Sequence, residues 1–181
     1  MKIVILAAGL SSRMNNENKL LLPYKGKTIL EHSIENALSL NLPTYIVLGY
    51  EKDKTEEIAK RYNIGIIYND DYLKGQESSL IISYKTLNDD ILFTLADMPL
   101  LTKEDYKYFL NQIKDSKAIR PYYDNKQGNP VYISKEIANR ILQEGKKTKT
   151  YVLDKAIGCN VNILDIDTPL EYELLLKGNT I

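Results

Sequence analysis

The sequence predicts an α/β fold: a three-layer α/β/α sandwich with a mostly parallel central sheet. Short β-branched runs alternate with amphipathic segments from end to end, the pattern of strands joined by crossover helices. Three runs, Ile3–Leu6, Tyr45–Leu48 and Ile91–Phe93, are apolar on both faces, as strands covered from both sides must be. The chain of 181 residues is long enough for a real core, since a domain of this size buries roughly 70% of the surface its unfolded chain exposes. No repeat, low-complexity tract or linker interrupts it, so residues 1–181 are expected to form a single domain.

Strands are expected at Lys2–Leu6, Tyr45–Leu48, Ile64–Tyr68, Ile91–Leu95, Lys117–Arg120, Pro130–Ile133 and Asn160–Leu164. Helices fill the intervals. Thr28-x-x-Glu31 has the form of a capping box, and Leu30, Ile34, Ala37 and Leu38 follow at the spacing of one helical face. Thr102-x-x-Asp105 opens another helix just past Pro99, and Thr168-Pro169 supplies a cap and a first-turn proline for a last helix ending near Gly178. Further helices are expected over Lys52–Tyr62, Ser78–Leu87, Ser134–Gln143 and Lys149–Ala156.

Composition removes several functions. Twenty-four Lys+Arg balance twenty-four Asp+Glu, so there is no excess field to hold a nucleic acid or an anionic membrane. Any polyanion it handles must be small and locally gripped. One cysteine, Cys159, and one histidine, His32, rule out disulfide frameworks and argue against zinc clusters and a Cys–His nucleophilic pair. The apolar start, Met1–Leu10, is short for a secretion signal, is followed by Arg13 and Lys19, and has no small-x-small cleavage site. No stretch of about 18 apolar residues occurs elsewhere. The expected compartment is the cytoplasm, with Cys159 a reduced thiol.

The first strand runs into Ala7-Ala8-Gly9-Leu10-Ser11-Ser12-Arg13-Met14 and then a polar stretch to Lys19. Small residues after a parallel strand let backbone amides approach a ligand, and Arg13 and Lys19 can neutralise several negative charges. The loop has the character of a triphosphate cradle, though an ordinary β–α connection has a similar composition. Better-known signatures are missing. No Gly-x-Gly occurs, and Gly26-Lys27-Thr28 has Leu21 where a Walker A loop needs its first glycine. Gly-x-Ser-x-Gly is absent as well.

A second segment, Ile91–Leu100, ends an apolar strand in Ala96-Asp97 and stops it with Pro99. Asp97 is thus expected at a strand's carboxyl end, where α/β sheets place ligands, and outside the core. A carboxylate there suits Mg²⁺, which binds through one or two carboxylates plus substrate phosphates. Asp89 and Asp90 lie at the other end of that strand and are expected in solvent. Asp167, taken alone, reads as a helix cap; beside Asp97 it could share one metal. Gly75–Ser79 and Gly128-Asn129-Pro130 are loops rich in hydrogen-bonding groups that turn chemistry alone also explains.

Together these segments resemble the nucleotidyltransferases of the molybdenum cofactor cytidylyltransferase type, within the wider MobA-like NTP transferase family. The resemblance covers nearly the whole chain: Leu6-Ala7-Ala8-Gly9-x-Ser-x-Arg13-Met14, Lys19–Pro23 with Gly26-Lys27, Leu95–Leu100, Gly128–Val131 and Asp165–Pro169. It implies a Rossmann-like, glycosyltransferase-A-like nucleotidyltransferase fold. It also implies that an acceptor phosphate monoester attacks the α-phosphorus of CTP and expels pyrophosphate, with Mg²⁺ as cofactor. By the same resemblance Arg13, Lys19 and Asp97 are the catalytic residues, and Asp97 and Asp167 hold the metal. Leu6, Ala7, Ala8, Gly9, Arg13, Lys19, Gln76, Ser78 and Ser79 bind the nucleotide, and Gly128, Asn129 and Pro130 the acceptor. Relatives usually carry Gly where this chain has Asn15 and His where it has Asn129, and the second departure leaves the acceptor open. Molybdopterin is the acceptor the resemblance implies, with a molybdenum enzyme as client; a sugar or alcohol phosphate is an alternative, and a non-catalytic nucleotide-binding accessory protein another. Ala8, where guanylyltransferase relatives have Gly, favours a pyrimidine over a purine by steric room.

Overall fold

The computed structural model describes residues 1–14, 17–123, 126–152, 154–157 and 165–178. Its sheet has the order β10-β7-β9-β6-β1-β4-β5. The strands are β1 (Lys2–Ala7), β4 (Thr44–Leu48), β5 (Gly65–Tyr68), β6 (Ile91–Leu95), β7 (Ala118–Tyr123), β9 (Val131–Ile133) and β10 (Asp154–Ile157). β1 lies between β4 and β6 and runs parallel to both. β9 alone on this path runs antiparallel, to β6 on one side and β7 on the other. A two-residue strand, β8 (Lys126–Gln127), folds back on β7, and β2 (Pro23–Tyr24) pairs with β3 (Lys27–Thr28) as a small hairpin.

Side-chain alternation divides the central strands between two cores, as the period of two requires. Ile3 and Ile5 of β1 pack with α1 (Ile29–Leu38), α2 (Lys52–Ala59) and α4 (Lys103–Ile113) through Leu30, Ile34, Ile58 and Phe109. Val4 packs on the other face with Tyr84 and Leu87 of α3 (Gln76–Leu87) and with Ile137 and Ile141 of α5 (Lys135–Glu144). A third, small cluster joins Tyr24 and Ile29 to Ile166 and to Leu175 of α6 (Pro169–Leu176), and so clamps the last helix over the β2–β3 hairpin. The sandwich expected from the sequence is therefore present.

Thr28, Thr102 and Thr168 each form a complete capping box with the acidic residue three positions on. One expected element is overturned. Lys149–Ala156 is not a helix: a single 3-10 turn at Thr148–Thr150 is followed by β10, paired parallel with β7 from Asp154↔Ile119 to Ile157↔Tyr122. Tyr151 and Val152 are weak helix formers, and without β10 the backbone groups of β7 would stay unpaired on that side. The expected strand at Asn160–Leu164, and Cys159, lie outside the described residues. Among the described residues no helix is long and apolar enough to cross a membrane.

Candidate active site

A cavity of about 390 Å³ opens at the carboxyl ends of β1 and β6, the end at which open α/β sheets expose their ligand sites. From the first loop it is lined by Leu6, Ala7, Ala8, Gly9, Arg13 and Lys19; α3 contributes Gln76 and Ser79, and Asp97 and Asp167 close the far side. Ser78 is not among the lining residues. Its hydroxyl donates to the Gly75 carbonyl at 2.7 Å and accepts from Asn69 Nδ2 at 2.8 Å, so it fixes the start of α3. Gly128, Asn129 and Pro130 also lie outside the cavity wall. They precede β9, whose Val131 pairs with Phe93, and antiparallel running puts them beside the carboxyl end of β6.

The loop after β1 turns sharply at Ser11, which adopts a left-handed conformation (φ 51°). Its carbonyl accepts from Met14 N at 2.9 Å and its hydroxyl from Lys19 N at 3.4 Å. Asn18 caps the 3-10 turn Lys19–Leu21 by accepting from Leu20 N at 3.1 Å. These bonds hold Lys19 inward, and it is buried, not solvated as a loop lysine would be. Asp97 is set by its neighbours: Ser33 Oγ donates to the Ala96 carbonyl at 2.8 Å, Asn36 Nδ2 to that of Pro99 at 3.0 Å, and Ile166 N to the Asp97 carbonyl at 3.0 Å. Asp97 itself is only 9% exposed. The expectation that it stays outside the core is thus corrected: the turn beyond β6 is roofed by α1 and by the chain leading into α6.

Thr168, not Asp167, caps α6. That leaves the Asp167 carboxylate to accept from Lys19 Nζ at 2.7 Å and from Arg13 Nη2 at 2.5 Å. Lys19 also pairs with Asp97, so one ammonium bridges the two carboxylates that sequence reasoning assigned to a metal. Asp165 is the third carboxylate on the cavity wall. Three acidic groups face two basic ones there. Burial holds the Asp97 carboxyl above its ordinary pKa, opposed by Lys19 and reinforced by Asp165 and Asp167. Burial and then Asp167 push Asp165 upward too. Asp167 is lowered: burial works against ionisation, but Lys19 and Arg13 outweigh it. Lys19 is raised, because Asp97 and Asp167 overcome the effect of its burial.

Asp97 Oδ1 is buried and has no hydrogen-bond partner among the described residues. An oxygen so placed carries a desolvation cost that a hard cation would remove. The donor set fits Mg²⁺ in particular, which keeps waters and takes few protein carboxylates; among the described residues no group of three or more His, Cys, Asp or Glu forms a full protein cage.

The wall opposite the charges was not legible in advance. Tyr72 and Leu73 line it, and Leu73 is 73% exposed. This segment sits close because of Gly49: a Cβ there would lie 2.7 Å from Tyr72 Cβ and 2.8 Å from Ala8 Cβ. The Ala8 methyl therefore packs toward Gly49, and it shapes the cavity by spacing the first loop from Tyr72. Gly9 is different. A Cβ at Gly9 would meet nothing within 4 Å, so no protein contact demands glycine, and its smallness serves the open side of the loop. A glycine directly after β4, followed by Tyr72–Gly75, was the available signal for this wall.

Residues 3–156 match the MobA-like NTP transferase domain family. The chain is 32% identical over 178 residues to the molybdenum cofactor cytidylyltransferase of Escherichia coli, covering 93% of this chain and 92% of that one. Among solved structures it resembles a nucleotidyl transferase from Methanothermobacter (TM-score 0.79, 18% identity, 98% and 96% of the two chains). It also resembles the molybdopterin-guanine dinucleotide biosynthesis protein A of Archaeoglobus fulgidus (TM-score 0.75, 17% identity, 98% and 97%). At those identities the two structures speak for the fold.

Proposed function

The chain belongs to the MobA-like NTP transferase family, and from that premise we propose that it is a Mg²⁺-dependent cytidylyltransferase, moving CMP from CTP to a phosphate-bearing acceptor, molybdopterin in the first instance. The observation that carries this reading is Asp97 on the wall of a cavity whose other charged groups are Lys19, Arg13, Asp165 and Asp167, with one buried oxygen that has no hydrogen-bond partner among the described residues. The likeness to the Escherichia coli enzyme supports the base and the acceptor.

In the transfer an oxygen of the acceptor phosphate bonds to the α-phosphorus of CTP, the bond from that phosphorus to the bridging oxygen breaks, and pyrophosphate leaves with the electron pair. A phosphate monoester has its second pKa near 6, so the nucleophile is ionised at neutral pH and no side chain need remove a proton. His32 is in any case engaged elsewhere, with Nε2 donating to the Tyr24 carbonyl at 2.8 Å. Catalysis then rests on positioning and on charge. Arg13 and Lys19 are held ready by carboxylates and exchange those partners for phosphate oxygens. The amides of the Ala7–Gly9 turn approach the nucleotide where Gly9 leaves space, and Gln76 and Ser79 present polar groups from α3. Asp97 and Asp167 would hold Mg²⁺, which when bound neutralises charge on the phosphates.

The test incubates the chain with α-labelled CTP, Mg²⁺ and a panel of acceptors: molybdopterin, a sugar phosphate and an alcohol phosphate. Release of pyrophosphate with a labelled molybdopterin product is the expected result. Transfer only to another acceptor would replace the molybdopterin assignment, and nucleotide binding without turnover on any acceptor would refute the enzymatic reading.

A further inference from the structure

Four side chains on one face of the sheet, outside the cavity, form a connected group. Lys155 of β10 stands directly across from Arg120 of β7, and Gln127 of β8 across from Tyr122. Residues 120 and 122 share a face because the strand period is two. Arg120 Nη1 donates to Gln127 Oε1 at 2.5 Å, Gln127 Nε2 to the Tyr122 hydroxyl at 2.9 Å, and Lys155 Nζ sits 4.6 Å from the Tyr122 ring centroid. Arg120 Nε also donates to the Gly128 carbonyl at 3.3 Å, at the root of the loop expected to meet the acceptor.

Two features of this group carry a cost in the fold itself. Like charges directly opposite on neighbouring strands repel, yet Arg120 and Lys155 are such a pair, and among the described residues neither makes a salt bridge. The half-buried Arg120 guanidinium uses two of its five N–H groups on neutral oxygens, and its burial, with no carboxylate among the described residues to offset it, lowers its pKa. Among the described residues the Lys155 ammonium meets only the Tyr122 ring face, which leaves its donors open. An oxyanion shared by the two cations would offset both costs.

The register locates the group. Tyr132 pairs with both Leu92 and Ile119, so Arg120 is level with Phe93, and Tyr122 with Leu95, two residues short of Asp97. β7 runs in the same sense as β6, two strand spacings away, or roughly 10 Å. That is too far for the phosphate that reacts beside Asp97, and it suits a second anionic group on the same acceptor.

We propose that Arg120 and Lys155, with Tyr122 and Gln127 between them, form a subsite for an oxyanion on the acceptor remote from its reacting phosphate. The assignment to the acceptor rests on the nucleotidyl-transfer reading; the affinity for an oxyanion does not. The experiment titrates inorganic phosphate into the ¹⁵N-labelled full chain and follows the Arg120 Nε–H and the amides of Tyr122, Gln127 and Lys155, for the natural chain and for Lys155→Gln and Arg120→Lys. Saturable shifts at these resonances are expected, weakened about tenfold in Lys155→Gln, the scale of one charge-assisted hydrogen bond. Arg120→Lys keeps the charge and should retain part of the response. Resonances that do not move, or that move equally in Lys155→Gln, would overturn the subsite. Mg²⁺-dependent CTP binding by the natural chain is measured alongside: its absence with the phosphate response intact would refute the nucleotide reading and leave the subsite standing. In turnover, Lys155→Gln should raise the KM for a doubly anionic acceptor more than that for one carrying only its reacting phosphate, and equal effects would detach the subsite from the acceptor.

Discussion

Replacing Gly49 by alanine tests how the cavity wall is spaced. The new methyl would fall 2.7 Å from Tyr72 Cβ and 2.8 Å from Ala8 Cβ, where ordinary contact begins at 3.4 Å. Both obstructing atoms are attached directly to backbone, so the clash cannot be relieved by swinging a flexible side-chain end; the Tyr72–Gly75 segment or the first loop has to shift by more than half an ångström. Overpacking of this kind costs about 1–3 kcal/mol, and in a chain of this size each kcal/mol lowers Tm by about 2–4 °C. Gly49 is not held at positive φ, so no conformational penalty adds to that figure. Gly9→Ala is the matched comparison, since nothing lies within 4 Å of its added methyl. Thermal unfolding should show Gly49→Ala destabilised and Gly9→Ala near the natural chain. Calorimetric CTP titration should show Gly9→Ala losing affinity despite its stability, because the methyl occupies space the nucleotide needs. A Gly49→Ala protein as stable as the natural chain, or a Gly9→Ala protein less stable than it, would refute this account of the two glycines.

Lys19→Ala removes the cation shared by Asp97 and Asp167, and breaking a buried pair of this kind costs about 3–5 kcal/mol; urea unfolding should show the loss at neutral pH and a smaller one in acid, as the carboxylates left behind protonate. Asp97→Asn should lower kcat by about 10²–10³-fold, the scale of losing one preorganised electrostatic group, while stability measured without metal holds or rises because a buried charge is gone. The raised pKa of Asp97 means that its contribution favours the folded state in acid and is lost as pH climbs from the unfolded value through the folded one. Mg²⁺ binds the ionised form, so a metal-induced rise in Tm should shrink as pH falls through the raised pKa of Asp97; a rise that persists unchanged in acid would take Asp97 out of the metal site.

The signals that act over a few residues were legible without coordinates. The three Thr caps depend on a side chain and an amide three positions apart, and the doubly apolar strands Ile3–Leu6 and Ile91–Phe93 announce burial on both faces. The loop from Leu6 to Lys19 and the turn at Asp97 stood out as candidate chemistry for the same reason, since their small residues, cations and carboxylate follow strand ends, where α/β sheets place ligands. The helix expected at Lys149–Ala156 failed because strand β10 owes its existence to β7, more than thirty residues earlier in the chain. Local propensity carries no information about a ladder partner so distant.

By itself, then, the sequence determined the layer architecture and which residues bear charge at the carboxyl end of the sheet, both of which follow from spacing along the chain, and its motifs carried the resemblance to the family. Only the tertiary structure decided that Asp97 is buried, that Lys19 bridges it to Asp167 across 148 residues, that Ser78 serves α3 instead of the cavity, and that Gly49 sets the distance from Ala8 to Tyr72. Each of those depends on atoms from separate elements meeting within a few ångströms. Such meetings are fixed by packing, which sums contributions from the whole chain and leaves no mark in any short stretch of it.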